Sequence, residues 1–250
     1  MSRTDDIIAA LVAAHRSGSR VLETGAVLSR AQIMSIQSGV SAALGPVAGF
    51  KVGADPDGGP PVIAPIQARY QERDGGVRQT TDPVGIELEI GFTLTRALPT
   101  ASLPDRVQDY FRPCIVLELV GSRMTGENAA RPDLKFADFQ INAGMVNGPC
   151  VMHWDGADFG TLPARLASET QVVLDRPATV PGGSALANLA LLVAHLGDYC
   201  GGLHVGQTVI TGSLCGLPWF GPEAVVTGWI KGFGAVSINL KTANAASETG

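Results

Sequence analysis

Two glutamates, Glu87 and Glu89, alternate with apolar residues in the segment 84–92. In a strand, alternation would place both carboxylates on one face and Leu88 with its apolar neighbours on the other. Two carboxylates one strand repeat apart repel each other unless a positive charge lies between them. The pattern therefore fits either the solvated face of an edge strand or a site that binds a cation.

A third glutamate, Glu118, interrupts the apolar run 114–120, which is typical of a strand buried on both faces. An ionised carboxylate in such a strand is too costly to bury without a cation. Either a basic residue, with Arg123 as the nearest candidate, or a metal ion would supply the positive charge. Three carboxylates on neighbouring strands would form an all-oxygen site suited to Mg2+ or Mn2+ rather than zinc.

Lys51 lies between two glycines in an apolar stretch, G-F-K-V-G. Its side chain could simply project to the surface, or it could stabilise negative charge or carry a proton beside a metal-bound substrate. The segment 210–216, I-T-G-S-L-C-G, has glycines that would expose backbone N–H groups beside two hydroxyls. Such a loop can bind a carboxylate, although it also fits an ordinary turn.

The composition indicates a folded protein that does not bind nucleic acid, because 45% of the residues are hydrophobic and 23 acidic residues outnumber 18 basic ones. The apolar run 7–14 is too short for a membrane span and lacks a signal peptide's basic flank, so we expect no membrane role and a cytoplasmic location. No C-x-x-C pair occurs, and we therefore expect buried thiols rather than disulfides or zinc ligands. The four cysteines are Cys114, Cys150, Cys200 and Cys215.

The chain is predicted to begin with two helices and to continue as a β-rich unit. Thr4 is a candidate N-cap for the first helix, and Ser29 with Gln32 forms a capping box for the second. A last helix is predicted over 184–198, followed by strands and a glycine-containing hairpin. The predicted divisions are a helical region, one integrated catalytic unit and a frayed tail: residues 1–48, 49–241 and 242–250.

Five segments taken in order resemble the 2-oxopent-4-enoate hydratase and 4-oxalocrotonate decarboxylase family of the fumarylacetoacetase (FAH) superfamily. They are G-F-K-V-G at 49–53, G-I-E-L-E-I-G-F at 85–92, L-E-L-V-G-S-R at 117–123, K-F-A-D at 135–138 and I-T-G-S-L-C-G at 210–216. The resemblance implies an α+β fold, a mixed β-roll with N-terminal helices and further helices packed outside it. It also implies that Glu87, Glu89 and Glu118 bind Mg2+ or Mn2+ and that Lys51 is the active-site lysine. Three loop residues would lie over the substrate: Thr211, Gly212 and Ser213.

The activity implied by the resemblance is that of a lyase on a 2-oxo or 2-hydroxy-dienoic acid from aromatic catabolism, through a metal-stabilised enolate. Hydration is ranked slightly ahead of decarboxylation. The alternatives are an acylpyruvate-type carbon–carbon hydrolase or a tautomerase with the same metal site, and a non-catalytic partner subunit of a related enzyme. A homo-oligomer is expected, or a mixed oligomer with such an enzyme.

One departure from the family pattern bears on hydration. Many hydratases of the family carry an acidic residue directly after a proline, where this chain has Ile66 after Pro65. Glu72 and Asp74 are the nearest acids and are the candidates for the missing general acid. Trp219 and Phe220 could line a pocket for an apolar substrate tail, or could be ordinary core or interface aromatics.

Overall fold

A computed structural model describes residues 2–22, 25–55 and 58–243. The fold is α+β, as predicted, with helices packed around curved β-sheets. The last strand ends at Thr242, and the described residues end at Ala243. Most of the tail predicted over 242–250 therefore lies outside the described residues. Over the described part of the chain, no helix has the length and apolar character needed to cross a membrane.

Four α-helices and fifteen strands make up the described chain. The helices are α1 Arg3–Ser17, α2 Arg30–Leu44, α3 Pro132–Ala137 and α4 Ala185–Leu196. The first strands are β1 Val21–Leu22, β2 Val47–Gly53, β3 Val62–Gln67, β4 Gln71–Arg73, β5 Gly76–Thr80, β6 Val84–Leu94, β7 Phe111–Val120 and β8 Met124–Thr125. The remaining strands are β9 Asn142–Cys150, β10 Leu162–Ala167, β11 Val172–Ala178, β12 Thr208–Ser213, β13 Trp219–Phe220, β14 Val225–Ile230 and β15 Gly234–Thr242.

Both N-terminal helices begin with a capping box. In α1 the N-cap is Ser2 rather than the predicted Thr4, because the Ser2 hydroxyl accepts a hydrogen bond from the Asp5 N–H and the Asp5 carboxylate accepts one from the Ser2 N–H. In α2 the predicted pair is confirmed, since Ser29 and Gln32 exchange the same two bonds. Each box satisfies backbone donors that the helix itself leaves free.

Two sheets enclose the main hydrophobic core. The larger has the strand order β3-β2-β12-β6-β7-β9-β4, with β13 also paired to β6, and the smaller has the order β11-β10-β14-β15-β5. Leu88 and Leu117 of the larger sheet pack in one cluster with Ile238 of the smaller sheet and Leu189 of α4. The sheets approach closely at Gly228, where a Cβ atom would lie only 2.7 Å from Leu88 Cδ1.

Helices α1 and α2 build a second apolar cluster on the outside of the β-structure. Leu11 and Ile36, both fully buried, pack there with Phe139, which follows α3, and with Ala64 of β3. The N-terminal helices therefore cover the strand that neighbours β2, on which Lys51 lies.

The cysteine prediction was wrong for one pair. Cys114 and Cys150 form a disulfide across a separation of 36 residues. They meet because β7 and β9 are antiparallel neighbours whose register sets these two residues opposite each other. Cys200 and Cys215 are free, as expected.

Candidate metal centre

The register of β6 and β7 brings the three glutamates together. Glu87 lies opposite Glu118, and Glu89 lies opposite Val116, so the carboxylates share one face of the sheet. Ligand oxygens of the three carboxylates lie within 4.8 Å of one another. The edge-strand alternative was wrong, because β6 lies between β12 and β7 and Glu89 is only 2% exposed.

The carboxylate of Glu118 is fully buried and only half satisfied. Its Oε1 accepts hydrogen bonds from Lys51 Nζ at 2.5 Å and from Asn142 Nδ2 at 2.8 Å. Its Oε2 is buried and has no hydrogen-bond partner among the residues that the structure describes. Arg123, the alternative cation for Glu118, pairs instead with Asp138, with 2.7 Å between Nε and Oδ1. An oxygen with no partner in a buried carboxylate is costly, and a metal ion would satisfy it.

Lys51 reaches the cluster from β2. Its Nζ is the basic group paired with Glu118, and its side chain is 16% exposed. The alternative that it projects to the surface was therefore wrong. Strand β2 lies next to β12, which lies next to β6, so the lysine reaches across the sheet towards the carboxylates.

The loop at the end of β12 forms hydrogen bonds with Glu89 and with the backbone of β6. The Gly212 N–H donates a hydrogen bond of 2.6 Å to Glu89 Oε2, and the Thr211 hydroxyl donates one of 2.8 Å to the Ile90 carbonyl. Ser213 lies opposite Glu89 in the β12–β6 register, and its hydroxyl donates to Gly216 O at 2.6 Å. These contacts fix the loop relative to Glu89.

The charges of the cluster are not balanced by Lys51 alone. Burial, and then the charge of Glu118, raises the pKa of Glu87 to about 7. Burial and the two other glutamates raise the pKa of Glu89 well above its usual range. Burial lowers the pKa of Lys51, but the carboxylates, Glu118 foremost, outweigh it and leave that pKa raised. A divalent cation would allow all three carboxylates to ionise together.

The other acids named from the sequence have different partners. Glu72 Oε1 pairs with Arg78 Nη1 at 3.4 Å. Asp74 Oδ1 accepts a hydrogen bond of 2.8 Å from the Ser237 N–H. Neither belongs to the group of three converging carboxylates, and Ile66 is fully buried.

Asn142 is the residue at this site that the sequence did not single out. It follows residues 139–141, three consecutive non-glycine residues with φ of 53, 52 and 54°, a left-handed conformation that costs energy at each position. Its amide also accepts the Gly144 N–H at 3.1 Å, so its side chain is fixed on both sides. The signal available was its position shortly after K-F-A-D at 135–138, one of the segments that carry the family resemblance.

No protein-family model and no curated protein sequence matches the chain. Among solved structures, it is similar to 4-oxalocrotonate decarboxylase from Pseudomonas putida G7 complexed with magnesium and adipate. The TM-score is 0.75 at 19% identity, over 96% of this chain and 98% of that one. The chain has the fold of that decarboxylase. The FAH-like fold expected from the resemblance is confirmed.

Two further structures share part of this FAH-like fold. Fumarylpyruvate hydrolase from Pseudomonas aeruginosa, in complex with Mn2+ and pyruvate, has a TM-score of 0.54 at 16% identity over 78% of this chain and 89% of that one. The 5-carboxymethyl-2-hydroxymuconate delta-isomerase from Mycobacterium smegmatis has a TM-score of 0.56 at 17% identity over 80% and 82%. A decarboxylase, a hydrolase and an isomerase are thus built on related folds, and the fold does not select the reaction.

Proposed function

We propose that this chain is a divalent-metal-dependent lyase that acts on a 2-oxo acid or its 2-hydroxy-dienoic tautomer and removes carbon dioxide from a second carboxylate, on a carbon whose electrons can pass to the 2-oxygen. The observation that carries the proposal is Glu118 Oε2, which belongs to one of three converging carboxylates and is buried with no hydrogen-bond partner in the described part of the chain. The solved decarboxylase holds magnesium, and the solved hydrolase holds Mn2+ with pyruvate, a 2-oxo acid.

The donor set fits a hard divalent ion. Glu87, Glu89 and Glu118 offer only oxygen, which suits Mg2+ or Mn2+ and leaves coordination positions for water and substrate. When bound, such an ion supplies a Lewis acid that stabilises negative charge developing on the substrate's 2-oxygen.

The chain's own groups orient the metal ligands and add positive charge beside them. Gly212 holds Glu89, and Asn142 holds Glu118, so the ligands are oriented before the ion arrives. Lys51, as an ammonium group, adds a second positive charge beside the position where the substrate's oxygens would lie.

Decarboxylation is favoured over hydration because, in the described part of the chain, both acids proposed for hydration, Glu72 and Asp74, have other partners. Hydration needs a group that activates water or protonates the substrate, and the family's acid is replaced by the buried Ile66. Glu72 and Asp74 are already held by Arg78 and Ser237. Loss of carbon dioxide from the second carboxylate moves its bonding electron pair towards the 2-oxygen, so it requires only that the negative charge there be stabilised as the bond breaks.

The test is to incubate purified protein and Mg2+ with a panel of 2-oxo acids and to identify products by mass spectrometry. We expect a product lighter by carbon dioxide. A product heavier by water would favour hydration, two acids from one diketo acid would favour hydrolysis, and no change in any substrate would favour a non-catalytic subunit.

The metal assignment is tested separately by titrating Mg2+ into Glu118→Gln by calorimetry. The matched control is Glu169→Gln, the same change at an exposed glutamate in the turn after β10. We expect the first variant to lose Mg2+ binding and the second to keep it. Equal affinity in the two variants would contradict the assignment.

A further inference from the structure

Residues 139–141 form a left-handed turn directly before Asn142. The backbone φ angles of Phe139, Gln140 and Ile141 are 53, 52 and 54°, and none of these residues is glycine. A left-handed conformation brings the Cβ atom too close to the following carbonyl oxygen, and the cost is greatest for a β-branched residue such as Ile141. Three such residues in succession persist only if the surrounding structure holds them in place.

Hydrogen bonds fix this turn at both ends. Before it, the Asp138 carboxylate accepts the Arg123 N–H and Nε–H, both at 2.7 Å, and the Asp138 carbonyl accepts Arg123 Nη2 at 2.9 Å. The same carbonyl accepts the Ile141 N–H at 2.8 Å, which closes the turn. After it, the Ile141 carbonyl accepts the Gly121 N–H at 2.9 Å. Both ends are therefore bonded to the chain that directly follows β7.

The turn is also anchored on the side of the N-terminal helices, through Phe139. Its side chain is 2% exposed and packs in the apolar cluster of α1 and α2, with its ring centroid 5.4 Å from that of His15. Gln140 is only partly buried, and in the described part of the chain its side chain makes no hydrogen bond. The left-handed conformation of Gln140 is therefore imposed by its neighbours and not by contacts of its own side chain.

Asn142, which follows the turn, reaches the candidate metal centre. It lies opposite Val120 at the start of β9, beside an irregularity in the β7–β9 pairing. Its Nδ2 donates to Glu118 Oε1 at 2.8 Å, and its Oδ1 accepts the Gly144 N–H at 3.1 Å. Glu118 Oε1 is thus bonded to both Asn142 and Lys51, while Oε2 keeps no hydrogen-bond partner among the described residues.

We propose that residues 139–141 are a positioning segment for the metal centre: their left-handed conformation holds the Asn142 amide against Glu118 Oε1 and so directs Oε2 towards the metal ion. A right-handed turn over the same three residues would send the chain in a different direction and take the amide away from Glu118. Asp138 and Arg123 are positioning residues too, because they hold the start of the turn. The inference rests on the proposed function only in taking Glu118 as a metal ligand.

The turn is tested with two replacements of Gln140 that differ in how well they accept a left-handed conformation. Gln140→Gly accepts it at no steric cost, whereas Gln140→Thr is β-branched and disfavours it. Calorimetric titration gives the Mg2+ affinity, and urea denaturation in a chelator gives the stability of the metal-free protein. We expect Gln140→Thr to bind Mg2+ about 10-fold more weakly, as after loss of a group that orients a metal ligand. Gln140→Gly should bind Mg2+ as tightly as the wild type.

A double-variant cycle separates positioning from a general loss of stability. In the Asn142→Leu background, Gln140→Thr should lower the stability but cause no further loss of Mg2+ affinity, because the amide that the turn positions is gone. The matched control is Glu223→Thr, the same replacement at a left-handed residue with φ of 72° in the turn before β14. It should leave the Mg2+ affinity unchanged. An equal loss of affinity from Gln140→Thr with and without Asn142 overturns the inference.

Arg123→Lys is the second variant, for use if Gln140→Thr does not fold. It keeps a positive charge beside Asp138 but removes the guanidinium bonds to the Asp138 carboxylate and carbonyl, so the Mg2+ affinity should fall several-fold. Wild-type affinity in whichever of the two variants folds, or equal losses in Gln140→Thr and Gln140→Gly, overturns the inference. If the wild type itself does not bind Mg2+, the metal assignment of the proposed function fails and the inference fails with it.

Discussion

Glu87 and Glu118 lie directly opposite each other on adjacent antiparallel strands. Like charges at such a position destabilise a sheet, and here the side chains are also largely removed from water. Lys51 offsets part of this cost through Glu118 Oε1. This pair lowers the stability of the metal-free protein, and binding of a cation between the carboxylates would raise that stability.

Replacing Lys51 with methionine should destabilise the metal-free protein by about 3 kcal/mol, because it leaves the buried Glu118 charge without its cation. Urea denaturation in the presence of a chelator measures this loss. Saturating Mg2+ should restore part of the stability, since the ion replaces the missing positive charge. Equal stability of the variant and the wild type in chelator would contradict a stabilising role for the Lys51–Glu118 ion pair.

Replacing Asn142 with leucine should weaken Mg2+ binding by about 10- to 100-fold, the usual effect of removing a group that orients a metal ligand. Calorimetric titration gives the affinity. The matched control is Asn147→Ala on the same strand, where the amide donates to the Thr208 hydroxyl and not to Glu118. Equal losses in both variants would point to general disturbance of β9 instead of a specific role for Asn142.

The stability of the protein should depend on pH through the protonation of His15. Burial, followed by the charges of Arg123 and Arg69, lowers its pKa from 6.5 to about 3. Asp138, 3.9 Å from Nε2, is already paired with Arg123. Because the folded pKa lies below the unfolded one, stability is complete above pH 6.5 and declines as the pH falls towards 3. At pH 5 the loss should be about 2 kcal/mol.

This prediction is checked by chemical denaturation of the wild type and His15→Gln at pH 8 and pH 5. The decline between the two pH values should be smaller in the variant by roughly the amount assigned to His15. A wild-type curve as steep as that of the variant would show that His15 protonates without cost in the folded protein.

Removing the Cys114–Cys150 disulfide should cost about 2–4 kcal/mol, because its 36-residue span restricts the unfolded chain. The double variant with alanine at both positions, compared with the wild type by urea denaturation, measures this. Thiol titration of the denatured, unreduced wild type should find two reactive cysteines, Cys200 and Cys215. Four reactive thiols would contradict the bond.

The features that the sequence predicted well involve residues only a few positions apart in the chain. The Ser29 and Gln32 capping box involves residues three apart, and the shared face of Glu87 and Glu89 follows from strand alternation. Chemistry implied by a buried charge was also predictable, since Glu118 required a cation whatever the fold.

The identity of that cation was not predictable, because it depends on strand register. Arg123 is five residues from Glu118, yet its guanidinium turns to Asp138, while Lys51 reaches Glu118 from a position 67 residues away. The Cys114–Cys150 pair was missed for the same reason. Sequence distance gives no measure of which residues two neighbouring strands bring together.

The stretch from Gly212 to Trp219 contacts the site at one end and solvent at the other. The Gly212 N–H orients Glu89, and Leu217 and Trp219 are exposed near the other end. Positions 217–219 supply none of the candidate metal ligands. Exchange of these exposed residues would leave the three carboxylates and the lysine in place, so this border of the site can vary in sequence without loss of a candidate metal ligand.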